Sequence, residues 1–228
     1  MGSRERKGEE RGVEGVDYVT VTVHEPSMTA DNLGLKTWAS SFMLARKLAM
    51  LRLTPGMKAL ELGSGTGLVG IACAAVLGAK VTLTDLPEIV PNLQYNVDKS
   101  SHLSRAGLMQ VKVLDWTCPP VPESEEEKFP LVLAADALYS SAHPELVLGM
   151  LELYLKKEDG ARVLVEFPLK ERFEDERERF WNGMKSRGFV LVDGGVDTMI
   201  GGDAGRVRCW WGLYRWADEH CIVAQALV

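Results

Sequence analysis

The chain predicts an α/β fold with a mostly parallel sheet and helices on both faces, and three observations carry that expectation. One phrase recurs along most of its 228 residues: a short apolar run, a turn, then an amphipathic helix. Runs such as VLVEF at 163–167 are nearly apolar throughout, the mark of strands covered on both faces rather than one. A cluster of glycines lies between the first such run and its helix, where a strand-to-helix turn must reverse tightly. Hydrophobic residues make up 46% of the sequence, enough for one core.

Taken in order, residues 1–15 are charged and glycine-containing, with almost nothing to bury, and are expected to be a disordered tail. Residues 16–228 then read as a single domain, of which 16–55 form an N-terminal extension. In that extension Val19, Val21 and Val23 alternate with Tyr18, Thr20 and Thr22, which predicts a strand. Residues 35–53 space Trp38, Phe42, Ala45, Leu48, Ala49 and Leu53 as a helix, stopped by Thr54-Pro55-Gly56. Strands follow at 58–62, 80–83, 110–114, 130–134, 162–166, 189–192 and 208–215, with helices at 68–77, 88–98, 144–155 and 172–187. The last two strands have no helix between them, only the glycine-rich stretch DGGVDTMIGGDAG, so they should pair antiparallel at one edge of the sheet. There is no internal repeat and no interdomain linker.

Composition excludes several functions. A formal charge of −6 argues against sequence-independent nucleic-acid binding, which needs a basic field facing phosphates. The acidic run Glu123, Glu125, Glu126 and Glu127, beside Pro119, Pro120 and Pro122, reads as a solvated loop. Cys73, Cys118, Cys209 and Cys221 lack metal-ligand spacing, and His24, His102, His143 and His220 form no metal pattern, so no metal is expected. No apolar run reaches the roughly 18 residues that span a bilayer, the N-terminus lacks a secretory core, and Arg6 breaks the myristoylation pattern after Gly2. The expectation is a soluble monomer in the cytoplasm, with the nucleus also open to it.

The sharpest motif is Glu61-Leu62-Gly63-Ser64-Gly65-Thr66-Gly67, with Gly70 beyond. Glycines at such a turn let the chain reverse, let a ligand approach the backbone and let helix pack on strand. Dinucleotide sites use similar glycines, so these alone leave NAD open. With Asp85 closing the next strand (KVTLTDL), the pattern resembles motif I of the seven-strand methyltransferases, and this resemblance implies S-adenosylmethionine as cofactor and a Rossmann-like seven-stranded sheet with an antiparallel last strand. It also implies that Asp85 accepts hydrogen bonds from the cofactor ribose and that Glu61 lies near the cationic methionine end, an arrangement wrong for a pyrophosphate. A capping or solvated carboxylate is the other reading of Glu61. Ser64, Leu86 and Ala135 belong to the same implied pocket. In this family the position after the third strand carries an acidic residue near the adenine amino group; here it is Asp115, followed by Trp116, which either covers the ring or plugs the end of the sheet.

After the fourth strand stands Asp136-Ala137-Leu138-Tyr139. D-x-x-Y there resembles the methyltransferase-like 21 group (methyltransferase family 16), the seven-strand protein-lysine methyltransferases. The upstream segment GLKTWASSFMLARKLA, with Trp38 and Ser41 or Ser40, and the helix LPEIVPNLQYNV, with Asn92 and Asn96, resemble the same group, so the likeness covers roughly residues 17–216. It implies methyl transfer to a lysine of a protein substrate, such as a translation elongation factor or a chaperone, with Asp136 orienting the amine and Tyr139 forming the wall beside it. The extension would then pack over the cofactor site. The structural alternatives are a helix N-cap for Asp136 and core packing for Tyr139. Other functional readings are a small-molecule N-methyltransferase with a nicotinamide-like acceptor, a non-catalytic binding module and a dinucleotide oxidoreductase. Trp210, Trp211 and Trp216 read as strand packing, Phe173, Phe180 and Met184 as the sheet-facing side of the last helix, and Glu166 as a rim residue of an acceptor channel.

Overall fold

The computed structural model describes residues 18–26, 33–51, 56–104, 108–201 and 205–218; the expected N-terminal tail and the Thr54-Pro55 helix stop lie outside them. Seven strands form one sheet: β1 (Lys58–Leu62), β2 (Lys80–Asp85), β3 (Met109–Val113), β4 (Leu131–Ala135), β5 (Arg162–Pro168), β6 (Phe189–Gly201) and β7 (Gly205–Trp216). Their order is β3-β2-β1-β4-β5-β7-β6. The first five pair in parallel, and β7 runs antiparallel between β5 and β6. The expected Rossmann-like sheet with its antiparallel last strand is therefore the fold.

Strand alternation divides the core. On β4, Val132 and Ala134 face one side with Leu148, Leu151, Phe180 and Met184, from α4 (His143–Tyr154) and α5 (Glu174–Ser186). Leu131 and Leu133 face the other side with Leu44, Ile71 and Leu93, from α1 (Ala39–Lys47), α2 (Leu68–Leu77) and α3 (Val90–Lys99). Every second β4 residue serves a different helical layer, which is why this strand carries no polar position until Asp136.

Three expectations need correction. Residues 18–26 join no sheet: the alternation of Val21 and Val23 records one-sided burial against the α2–α3 layer, while the backbone is tied by side chains. Asn96 accepts from the His24 N–H at 2.7 Å, and the amides of Asn92 and Asn96 each donate to the His24 carbonyl at 3.1 Å. The expected helix at 35–53 is shorter, α1 being flanked by 3-10 turns at Leu33–Leu35 and Leu48–Met50. The glycine-rich stretch read as a connection is mostly strand. β6 passes through Gly194 and Gly195, and at Gly194 its neighbour leaves no room for a side chain: a Cβ there would lie 2.9 Å from the Trp211 carbonyl oxygen. A bulge between Leu191 and Asp193 restores the register.

Among the described residues, no helix is long and apolar enough to cross a membrane. Phe180 is fully buried, its ring edge-on to Phe167 at 5.4 Å and to Tyr214 at 6.5 Å, and so bridges α5, β5 and β7. Phe180→Ala should therefore lower unfolding free energy by about 3–5 kcal/mol in urea titrations followed by circular dichroism.

Candidate functional site

The site is a cleft at the C-terminal ends of β1, β2 and β4, where this class of sheet leaves strand ends and helix starts exposed to a ligand. Its floor is the turn after β1. Gly63 (φ 64°) and Gly65 (φ 56°) adopt left-handed backbone, which glycine reaches without penalty. Gly65 is also crowded from outside: a Cβ there would meet the Gly34 carbonyl oxygen at 2.9 Å, so the N-terminal extension rests on the turn. Gly63 faces Trp116, whose Cζ2 would be 3.3 Å from an added Cβ.

Asp85 holds the turn from the side. One carboxylate oxygen accepts the Gly65 N–H at 2.7 Å and the other accepts the Leu86 N–H at 2.8 Å. Burial raises its pKa, and these two backbone donors pull it back down. Each carboxylate oxygen keeps lone-pair capacity for ligand hydroxyls. Gly63, Ser64, Gly65, Asp85, Leu86, Asp115, Trp116 and Ala135 all line the cleft, together with Trp38 from the extension. Asp115 is exposed, and bonds from the Thr117 hydroxyl (2.7 Å) and amide (2.8 Å) hold its carboxyl below the usual range. Trp116 serves both readings, lining the cleft while its half-buried ring packs on the core and lies edge-on to His143 at 5.7 Å.

Glu61 sits elsewhere than the family resemblance implies. Strand alternation turns it away from the cleft toward α2, where it is 2% exposed and accepts the Gly70 N–H at 3.0 Å. It is the capping carboxylate of the alternative reading. Burial pushes its carboxyl up to about 8, against the Ser64 and Gly70 hydrogen bonds that lower it. A pyrophosphate needs free amides at the strand-to-helix turn, and in the cleft itself the Gly65 N–H is already taken by the Asp85 carboxylate. Asp85 presents its remaining acceptor capacity to ligand hydroxyls.

The far end of the cleft is built around Asp136. Its φ is 55°, the one positive value at a non-glycine among the described residues, a conformation that costs about 1–3 kcal/mol. Two bonds hold it. Its N–H donates to the Glu166 carbonyl at 2.8 Å, and its carboxylate accepts the Ser40 hydroxyl at 2.8 Å. Ser40 is the member of the Ser40/Ser41 pair that reaches Asp136; Ser41 lines the cleft instead. Burial raises the Asp136 pKa, and the Ser40 bond, Lys170 and Arg172 lower it. Asp136 is not a helix cap, since α4 starts only at His143 with Ala142 before it. Tyr139 is not core either: it is 48% exposed, lines the cleft and stands edge-on to His143 at 4.2 Å.

Sequence reasoning missed Lys170 and Arg172, and placed Phe173 on the sheet side of a helix. All three line the cleft, because the chain after β5 makes a 3-10 turn at Glu171–Phe173 before α5 begins. Pro168 closing β5 was the available signal. Lys36 and Lys170 lie 5.5 and 5.2 Å from the Trp38 ring centroid and steady the indole at the mouth. Glu166 is not a rim residue. It is fully buried behind Asp136, neither carboxyl oxygen has a hydrogen-bond partner among the described residues, and burial pushes its pKa up to about 8.

Comparison with known proteins agrees with this geometry. A family model described as "Lysine methyltransferase" matches residues 17–187. The chain is similar to the protein-lysine N-methyltransferase rrg1 of Schizosaccharomyces pombe, 42% identical over 206 residues, covering 87% of this chain and 67% of that protein. It is 38% identical over 184 residues to the protein-lysine N-methyltransferase EFM2 of Saccharomyces cerevisiae, covering 70% of this chain and 42% of that protein. It is also 43% identical over 88 residues to EEF1A lysine methyltransferase 3 of Xenopus tropicalis, covering 37% and 35%. The chain thus spans about two thirds or less of the length of these relatives. Among solved structures, a putative sarcosine dimethylglycine methyltransferase from Galdieria sulphuraria shares the fold, with TM-score 0.58 and 16% identity over 78% of this chain and 85% of that one.

Two outcomes follow from the geometry. Gly65→Ala places a Cβ against Gly34 in a left-handed residue; it should weaken binding of S-adenosylhomocysteine in calorimetry by about tenfold or more and also lower stability. Burial pushes the Glu166 carboxyl from its usual value near 4.5 up to about 8, so the folded protein keeps a proton that the unfolded chain releases. Stability should fall as pH rises across that window, and Glu166→Gln should remove about half of the fall in urea titrations at pH 5.5, 7 and 8, the rest belonging to Glu61, which burial raises to about 8 as well.

Proposed function

The chain belongs to the lysine methyltransferase family, and on that footing we propose that it transfers a methyl group from S-adenosylmethionine to the side-chain amine of a lysine on a protein substrate. The observation that carries this reading is a single cleft running from the glycine turn and Asp85 to Asp136, whose left-handed backbone is held in place by Ser40 and Glu166. Bound there, S-adenosylmethionine supplies an electrophilic methyl carbon on a sulfonium. The chain supplies orientation and charge. Asp85 takes the ribose hydroxyls, the backbone at Gly63 and Gly65 permits close approach, and Asp115 with Trp116 receives the adenine. Residues 33–51 close over these groups through Trp38.

The acceptor must arrive as a neutral amine. A lysine with a pKa of about 10.4 needs about 4–5 kcal/mol to lose its proton at neutral pH. Desolvation beside Tyr139 and Phe173 lowers that value, and Lys170 and Arg172 at the same end disfavour the ammonium further. Asp136 orients the amine and balances the local charge, and Tyr139 forms the wall with a hydroxyl in reach. No covalent enzyme intermediate and no dedicated general base are required, because aligning nucleophile and methyl group supplies much of the rate. One relative is named for EEF1A, so a translation elongation factor is the first substrate to test.

Radiolabelled S-adenosylmethionine incubated with a proteome from cells lacking this protein should label one discrete protein band. Asp136→Ala should cut that labelling by about a hundredfold, since misplacing the reacting groups by about an ångström has that effect. Label confined to small metabolites would overturn the proposal in favour of a nicotinamide-like acceptor.

A further inference from the structure

The acceptor end of the cleft carries a concentration of positive charge that a chain of net charge −6 does not distribute there by average composition. Lys36, Lys170 and Arg172 line the cleft. Beside them the β6–β7 hairpin overhangs. β5 stops at Pro168 opposite Cys209, but β7 begins at Gly205, so the hairpin continues about four residues, roughly 13 Å, past the end of β5. The Leu169 N–H donates to the Arg208 carbonyl at 2.8 Å, which fixes the base of the overhang beside Lys170. Alternation puts Arg206 and Arg208 on one face, together with Ile200 and Thr198 across the ladder. Ile200 is 88% exposed, and Arg172, Arg206 and Arg208 are exposed.

Lys36 and Lys170 lie over the Trp38 ring and Arg172 over the Phe173 ring, contacts that leave their charges uncancelled. Among the described residues none of Lys36, Lys170, Arg172, Arg206 and Arg208 forms an ion pair, whereas the neighbouring Lys47 is committed to Asp197. The carboxylates nearby are Asp136, inside the cleft and bonded to Ser40; Glu166, fully buried; Asp197, paired with Lys47; Glu25, which accepts the Thr37 N–H next to Lys36; and Glu171, Glu174 and Asp175, exposed after Arg172 or beside it. Cations without a carboxylate partner round a binding mouth, here half-buried Lys36 and Lys170 with exposed Arg172, Arg206 and Arg208, raise the local concentration of anionic partners and reject cationic ones.

We propose that this basic collar and the hairpin overhang form the docking surface for the substrate protein, and that the target lysine sits in an acidic surface of that partner with an apolar side chain against Ile200. The inference rests on the protein-lysine reading of the site and names the substrate class it takes. It also resolves an apparent conflict. A mouth built to receive lysine would not ordinarily be cationic, but here the collar binds the carboxylates around the lysine while the same charges favour its neutral form.

The test uses the full chain with S-adenosylhomocysteine and two peptides of equal length, each with one central lysine, one flanked by Asp and Glu and the other by Ser and Gln. Fluorescence anisotropy should show the acidic peptide binding about tenfold more tightly at low salt, with the preference collapsing at high ionic strength. Arg206→Gln with Arg208→Gln should remove most of the preference and leave S-adenosylhomocysteine affinity unchanged. Equal binding of the two peptides, an unchanged preference in the double variant, or tighter binding of a single-stranded RNA oligonucleotide than of the acidic peptide would each overturn the proposal. Failure of the proposed function is read separately, as absence of S-adenosylhomocysteine binding in the same sample without peptide.

Discussion

Three parts of the chain converge on the backbone of Gly65. The Asp85 carboxylate takes its N–H, the Gly34 carbonyl presses where a side chain would be, and the residue itself turns β1 into α2. A charge-assisted hydrogen bond to a backbone amide is roughly twice as strong as a neutral one, so the end of β2 and the turn after β1 move as one unit. Because the extension rests on that unit, the roof of the cleft is set by its floor. The shape of the whole site therefore follows from the lack of a side chain at one position.

The interior behind the site is unusually rich in ionisable groups. Glu61 and Glu166 are both pushed toward neutrality by burial, and Lys47 is buried with Asp197 as its partner and the Trp211 ring beneath its ammonium at 4.4 Å. Such groups stabilise little on their own account. Their arrangement does bear on the site: Glu61 satisfies an amide in the first turn of α2 behind the glycine turn, and the backbone of Glu166 anchors Asp136 in its left-handed conformation. A neutral Glu166 behind Asp136 also spares that carboxylate a like-charged neighbour.

Much of this was legible in the chain. β1 and α2 match their expected bounds, and the remaining strands and helices of the sheet apart from β6 differ by a few residues, because period and punctuation are local properties. The sequence reads β6 too short because its glycines look like a linker when β7, whose Trp211 carbonyl leaves no room for a side chain at Gly194, is not in view. The segment at 18–26 looked like a strand because alternation reports one-sided burial and says nothing about whether a ladder partner exists.

The sequence by itself determined the layered sheet, the glycine turn with Asp85, and the family to which Asp136 and Tyr139 point, since each depends on residue types at fixed short spacings. Only the tertiary structure decided which way each carboxylate faces. Glu61 and Glu166 turned inward and Asp136 turned into the cleft because strand parity and a positive φ, set by contacts far along the chain, aim the side chain. The cationic mouth likewise joins Lys36, Lys170, Arg172, Arg206 and Arg208 from segments that meet only when β7 lies against β5. Charge acts through space, and spacing along the chain does not report it.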